Sequence, residues 1–133
     1  MIDRRSLAPM NTIHPILVYR DPKAAIDFLC RAFGFERQLV VDGDDGGVAH
    51  AELRLGDGIV MLATASDAMP AGAHRVYVSV DDADAHHARA AAEGAEVTEP
   101  PADRDYGSRE YGVRDPEGGV WWFGTYVPAP VGG

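Results

Sequence analysis

The side chains best suited to holding a divalent metal or moving a proton are His14, His50, Glu52 and His74. Apolar and polar residues alternate over 48–55. A strand there places His50 and Glu52 on one face with Val48 and Arg54, opposite Ala49, Ala51, Leu53 and Leu55. An imidazole beside a carboxylate suits general acid–base chemistry, with His14 or Glu52 as the base. A metal needs several ligands converging in fixed geometry, and these four residues come from non-equivalent strands, so no metal is expected. The Asp42-Gly43-Asp44-Asp45-Gly46-Gly47 stretch has the composition of a calcium loop but lacks its length and closing glutamate, and reads as a hairpin loop. No Ser-His-Asp order, P-loop, dinucleotide glycine fingerprint or cysteine pair is present. Cys30, the single cysteine, falls in an apolar helical stripe and reads as core. His86 and His87 are adjacent on a helix, cannot share a face, and read as solvated.

Charge narrows the partners. Among 133 residues, 21 acidic against 12 basic side chains give a formal charge of -9. Such a field repels phosphate backbones and anionic lipid and attracts cations, so neither nucleic acid nor a membrane surface is expected as a partner. Hydrophobic residues make up 46% and charged residues 25% of the chain, enough for one globular domain with a core of its own. No apolar run approaches the roughly 18 residues of a membrane span, and a lone cysteine fits a reducing compartment, so a cytoplasmic location is expected.

The elements that must position these residues repeat at an offset of 60. Residues 16–22 fall on 76–82, and Ala25, Gly34 and Glu36 fall on Ala85, Gly94 and Glu96. Each copy reads as strand, acidic cap, helix, glycine. The β-branched stretches 13–19 and 76–80 predict strands. Asp21 and Asp81 then offer acceptors to the first helical amides, with Pro22 pre-set for the first turn. Ile26, Leu29, Cys30 and Phe33 form one helical stripe that Gly34 closes, and a second, alanine-built helix spans 82–93. The period then drops to two. Strands are expected over 35–41, 48–55 and 59–64, with a tight Gly56-Asp57-Gly58 turn, and over 96–99, 109–114 and 119–126. A Pro-rich loop covers 100–108, and Asp115-Pro116-Glu117-Gly118 joins the last two strands. Residues 1–12 read as an N-terminal extension, in which 1–9 are either a loose arm or lie behind an upstream start. Residues 127–133 read as a frayed tail.

Two βαβββ modules, 13–65 and 73–126, with an Asp-Pro opening after the first strand, the Gly-Asp-Gly turn and the late Asp-Pro-Glu-Gly turn before an aromatic strand, resemble the vicinal oxygen chelate superfamily. That group includes glyoxalase I, extradiol dioxygenases and bleomycin-resistance proteins. Arg114 to Gly118 followed by Trp122-Phe123-Gly124-Thr125 is most similar to the glyoxalase and bleomycin-resistance branch. The resemblance implies an α+β domain over 13–126 whose eight strands make a curled mixed sheet, a half-barrel around a concave pocket, commonly in a homodimer. It also implies metal-ligand positions on the first, fourth, fifth and eighth strands. Those positions hold His14, Met61, Arg75 (beside His74) and Trp122. A thioether, a guanidinium and an indole do not replace carboxylate or imidazole ligands.

The expected function is therefore metal-independent binding of a drug or secondary metabolite, without a cofactor, with binding favoured over catalysis. The expected pocket walls are His14, His50, Glu52, Met61, Arg75, Tyr77, Tyr111 and Trp122. Aromatic walls suit a flat apolar ligand; the acidic surface favours a cation, whereas Arg75 suits a carboxylate. The alternative is an enzyme: glyoxalase-like or dioxygenase-like with a rearranged metal site, or a metal-free isomerase using His14 or Glu52 as base.

Overall fold

The structure, a computed structural model, describes residues 12–129. Of the expected N-terminal extension only residue 12, and of the expected tail only 127–129, fall among the described residues; the rest lie outside them.

Ten elements follow in order: β1 (Ile16–Tyr19), α1 (Pro22–Phe33), β2 (Glu36–Asp42), β3 (Val48–Leu55), β4 (Gly58–Thr64), β5 (Arg75–Ser79), α2 (Ala83–Ala92), β6 (Glu96–Asp103), β7 (Arg109–Arg114) and β8 (Val120–Gly124). The fold is α+β, made of two βαβββ modules. The eight strands form two four-stranded mixed sheets, β1-β4-β3-β2 and β5-β8-β7-β6, neither of them closed. In each, the first strand runs parallel to the last and the other pairs are antiparallel. A parallel pair cannot be joined by a tight turn, which is why each module sends its chain through a helix and two further strands before the pair closes. Two compact units result: the chain up to Cys30 with Gly34–Gly72, and Arg31–Phe33 with the chain from Ala73.

In the first unit the local signals act as expected. The Asp21 carboxylate accepts from the Ala24 amide at 3.1 Å, Pro22 opens α1, and Gly34, at φ 87°, closes it with its N–H on the Leu29 carbonyl. Leu17, Tyr19, Ala51, Leu53, Val60 and Leu62 are buried on one side of the sheet, and Ile26 and Leu29 of α1 are buried as well. Leu55 pairs with Gly58 across a two-residue turn. Gly56 takes φ 60° there, a left-handed value that a side chain resists.

The second unit departs from the sequence reading in three places. Its helix is capped by Asp82, which accepts from the Ala85 amide at 3.0 Å, and not by Asp81; the carboxylate that reaches the amide three residues on sets the start. Strand β6 does not stop at residue 99 but runs through Pro100 and Pro101 to Asp103. It is the edge strand, and its register shifts around these residues, so the missing proline N–H groups interrupt no central ladder. His86 is not solvated. Its Nδ1 lies 2.6 Å from the Tyr111 hydroxyl, and its Nε2 lies 2.8 Å from the Phe33 carbonyl. With Arg89, whose Nε donates to the Arg31 carbonyl at 3.0 Å, it satisfies carbonyls that the end of α1 leaves without helical partners. Burial holds the His86 imidazole below its ordinary pKa, against the pull of the Phe33 carbonyl. Its ring stacks on Phe123 at 4.0 Å, and Phe33 meets Phe123 edge-on at 4.8 Å.

The turn between β7 and β8 is organised by Asp115, whose side chain is fully buried. Its Oδ1 accepts the amides of Glu117 at 3.0 Å and Gly119 at 2.9 Å. Its Oδ2 accepts the Trp121 indole N–H at 3.0 Å and pairs with His74 Nε2 at 3.2 Å. One carboxylate thus ties the turn, the end of the preceding loop and the largest core side chain together.

Candidate functional site

The register that Asp115 sets decides which side chains share a face. Arg114 pairs with Val120, Gly112 with Trp122 and Glu110 with Gly124; in parallel, Arg75 pairs with Val120 and Tyr77 with Trp122. Because side chains alternate, one face of the sheet carries Arg75, Tyr77, Glu110 and Trp122. The other carries Tyr111, Val113, Trp121 and Phe123, all fully buried. Tyr111 is therefore not a wall of the open face. It points to the helix-covered side, bonded to His86, and burial pushes its hydroxyl far above the usual phenol range.

Four residues outside the expected walls, Tyr106, Glu110, Tyr126 and Pro128, complete the open face. A pocket of about 500 Å³ is lined by Tyr77, Tyr106, Glu110, Tyr126 and Pro128. At its floor the Glu110 side chain is only 7% exposed, yet it accepts the Tyr106 hydroxyl at 2.7 Å and the Tyr77 hydroxyl at 3.1 Å. Arg104 Nε stands 3.5 Å from Glu110 Oε1, an ion pair too long for a hydrogen bond. Burial alone raises the Glu110 pKa. Hydrogen bonds from Tyr106, Ser108 and Tyr77 with the Arg104 charge outweigh it, so the carboxyl sits below its ordinary range and is ionised at neutral pH. The phenols move the other way: burial raises Tyr77, and the bond to Glu110 raises Tyr106, so both remain donors.

Glycines make the room. A Cβ at Gly124 would stand 2.5 Å from both Glu110 Cγ and the Tyr77 hydroxyl, and one at Gly112 would press on the Trp122 ring at 3.0 Å. Trp122 lies under the Arg104 guanidinium, 5.6 Å from its ring centre. The loop after β6 turns tightly, the Gly107 amide bonding the Arg104 carbonyl at 3.0 Å and the Arg104 amide bonding the Ser108 carbonyl at 2.7 Å. This turn presents Tyr106 over the pocket. Tyr126 is held by its amide on the Ser108 hydroxyl at 3.0 Å and by its carbonyl, which accepts Ser79 at 2.8 Å. Pro128, expected in the frayed tail, thereby joins the wall.

The first sheet carries His50, Glu52 and Met61 on its own open face. Met61 pairs with Ile16 and with Glu52. His50 Nε2 lies 3.0 Å from Glu52 Oε2, and Gln38 donates to Glu52 Oε1 at 2.9 Å. His14 stands exposed ahead of β1. The structure thus brings His50, Glu52 and Met61 together on one sheet and Arg75, Tyr77 and Trp122 together on the other.

The signal that could have found Glu110 was in the sequence. A short turn centred on Asp115 to Gly118 aligns Gly112 with Trp122, which places Glu110, two residues back, on the Trp122 face and turns Tyr111 away. Nothing comparable marks Tyr106 or Tyr126, which sit on a turn and beyond a strand end.

Comparison with known proteins bears on this arrangement. The profile of the glyoxalase/bleomycin resistance protein/dioxygenase superfamily matches residues 12–123. The chain belongs to this superfamily. TioX from Micromonospora sp. ML1 is 37% identical, and the match covers 87% of this chain and all of TioX with a TM-score of 0.75. TnmS3, an antibiotic binding protein from Streptomyces sp. CB03234, matches at 22% identity and TM-score 0.67 over 86% of this chain and 96% of its own. Lactoylglutathione lyase from Agrobacterium tumefaciens matches at 22% identity and TM-score 0.68, over 88% and 94%. The last two share the fold. No curated protein sequence matches the chain significantly.

Membership implies a metal for the superfamily's enzymes, and the residues at those positions do not fit one. On the second sheet Arg75 is a cation and the Trp122 indole offers no lone pair, while on the first Met61 supplies only a thioether. Among the described residues no three His, Cys, Asp or Glu side chains gather in a way that could hold a metal ion. Nor, among them, is any helix long and apolar enough to cross a membrane.

Proposed function

We propose that this superfamily member is a metal-independent binding protein for a small drug or secondary metabolite with an aromatic portion, and not an enzyme. The observation that carries the reading is the open face of the second sheet. Where the superfamily's enzymes would need a carboxylate, an indole lies beside a tyrosine-lined pocket of about 500 Å³, a size suited to a drug-sized molecule. A flat apolar portion of a ligand binds to an indole face through stacking and burial. The superfamily membership supports a binding role, and the likeness in fold to TnmS3, an antibiotic binding protein, is in keeping with it.

In this reading the protein works in the cytoplasm as a homodimer. The aliphatic residues of the first module, with Ile16 57%, Leu39 44% and Val41 43% exposed, are the surface a second copy covers. Light scattering checks the mass: a dimer is expected, and a monomer at working concentration contradicts it. For the ligand, tryptophan fluorescence is titrated with bleomycin-type and other aromatic antibiotics. Saturable quenching by at least one supports the reading; none across a broad panel refutes it.

One observation favours a second reading. The Gln38–Glu52–His50 chain positions a carboxylate and an imidazole as an acid–base pair, as a metal-free isomerase would require. Incorporation of solvent deuterium into a bound ligand, lost in Glu52→Gln, would favour it over simple binding.

A further inference from the structure

We propose that the corner framed by Tyr77, Tyr106 and Tyr126 above Glu110 is a subsite for an alkylammonium group, a protonated or quaternary amine carried by the ligand. The proposal rests on the binding reading above and adds the charge of the ligand's anchor, which a net acidic surface with Arg75 on the open face leaves undetermined.

The rings meet as walls and not as a stack. Tyr77 and Tyr126 have centroids 6.4 Å apart at 72°, and Tyr106 and Tyr126 are 5.9 Å apart at 83°. A plate-like ligand needs a ring face alongside which it can lie flat, whereas walls at near right angles fit a compact, rounded group. Each ring face carries negative potential and draws a cation, most strongly where water is displaced. Pro128 adds an apolar contact at the rim, matching the methyl or methylene surface of an alkylammonium.

Glu110 decides the sign of the charge. It is ionised, lines the pocket, and receives the hydroxyls of both Tyr77 and Tyr106. A phenol that donates to a carboxylate gains electron density in its ring, so the two bonds that hold Glu110 also strengthen the pull of the walls on a cation. Arg104 opposes this at 3.5 Å from Glu110. It is shared, however, with Glu99 at 3.8 Å, so two carboxylates face one guanidinium and the local balance stays negative. A carboxylate ligand would meet Glu110 with like charge in a half-desolvated corner, whereas an ammonium completes the pairing.

The test uses choline, tetramethylammonium and 3,3-dimethylbutanol, the neutral carbon isostere of choline, titrated into the full chain carrying 13C-labelled tyrosine. Choline and tetramethylammonium are expected to bind saturably in the millimolar range, shifting the ring signals of Tyr77, Tyr106 and Tyr126 and leaving those of the buried Tyr19 and Tyr111 in place. Choline should bind about tenfold more tightly than the neutral isostere. Glu110→Gln should remove most of that preference without changing the affinity for 3,3-dimethylbutanol. Tyr106→Leu, at a 62% exposed turn position that folding tolerates, should abolish cation binding even if the Glu110 variant folds poorly. Equal affinity for the isostere, shifts at other tyrosines, no binding of either cation, or cation binding unchanged in both variants overturns the proposal. If aromatic antibiotics quench tryptophan while the cations fail, the subsite is wrong and the binding reading stands. If neither class binds, both fall.

Discussion

The open faces of the two sheets are built on the same strand order, with the same parallel closure and the same alternation of side chains, yet their surfaces differ. The first presents Ile16, Leu39, Val41 and Met61 around one polar chain, Gln38–Glu52–His50. The second presents Trp122 and Tyr77 beside a buried carboxylate, with glycines at 112 and 124 that leave volume where side chains would fill it. Fold alone does not make a site. In the proposed reading two features make one of the second copy: aromatic residues where strands meet, and missing Cβ atoms opposite them. The connections differ as well. The first module turns at an exposed Gly56-Asp57 pair, the second around fully buried Asp115. A site that depends on strand register gains from a turn that cannot slip.

The largest effect should come from breaking that turn. Asp115→Ala leaves the amides of Glu117 and Gly119 and the Trp121 indole without their acceptor, and should cost about 3 kcal/mol in denaturant unfolding. Asp57→Ala in the equivalent turn should cost under about 1 kcal/mol; equal losses would remove the distinction between the turns. Next, Trp122→Ala should weaken ligand binding by about 2 kcal/mol, roughly thirtyfold, in calorimetric titration, against a much smaller loss for Met61→Ala on the corresponding strand of the first sheet. Were Met61→Ala the more damaging, the functional contrast would be reversed. Gly124→Ala drives a methyl to within 2.5 Å of Glu110 and Tyr77 and should destabilise by about 1–2 kcal/mol. Gly72→Ala, with open space around it, should be near neutral.

The smallest effect is one of pH. The folded protein holds His86 below its ordinary value of 6.5, so the unfolded chain binds its proton first. Stability should therefore fall as pH drops below 6.5, down to the depressed folded value, and His86→Gln should flatten this slope in thermal melts. A slope that survives the substitution would place its origin in another group.

Much of the fold was legible because its signals are local. Asp21 and Gly34 bracket α1 through bonds three to five residues long, the period of two marks the strands, and the repeat at 60 announces the second copy. That Met61, Arg75 and Trp122 are poor metal ligands is likewise a matter of residue type alone. The site was less so. The side of Tyr111 cannot be read from its own strand, because it depends on pairing with β8. The contacts of His86 are hidden from the sequence because helical spacing shows which residues share a face and not what covers it. Tyr106 and Tyr126 reach the pocket through a turn and a chain end whose paths are set by Ser108 and Ser79, contacts that no periodicity reports.

If the ligand stacks on the second sheet's open face, Trp122 reports it. Trp121 is fully buried, so replacing Trp122 with Leu leaves a single, shielded indole. Wild type and Trp122→Leu should be titrated with the same aromatic antibiotic while tryptophan emission is followed. Saturable quenching is expected in the wild type and none in the variant. Quenching that persists in Trp122→Leu with unchanged affinity would contradict stacking on that face.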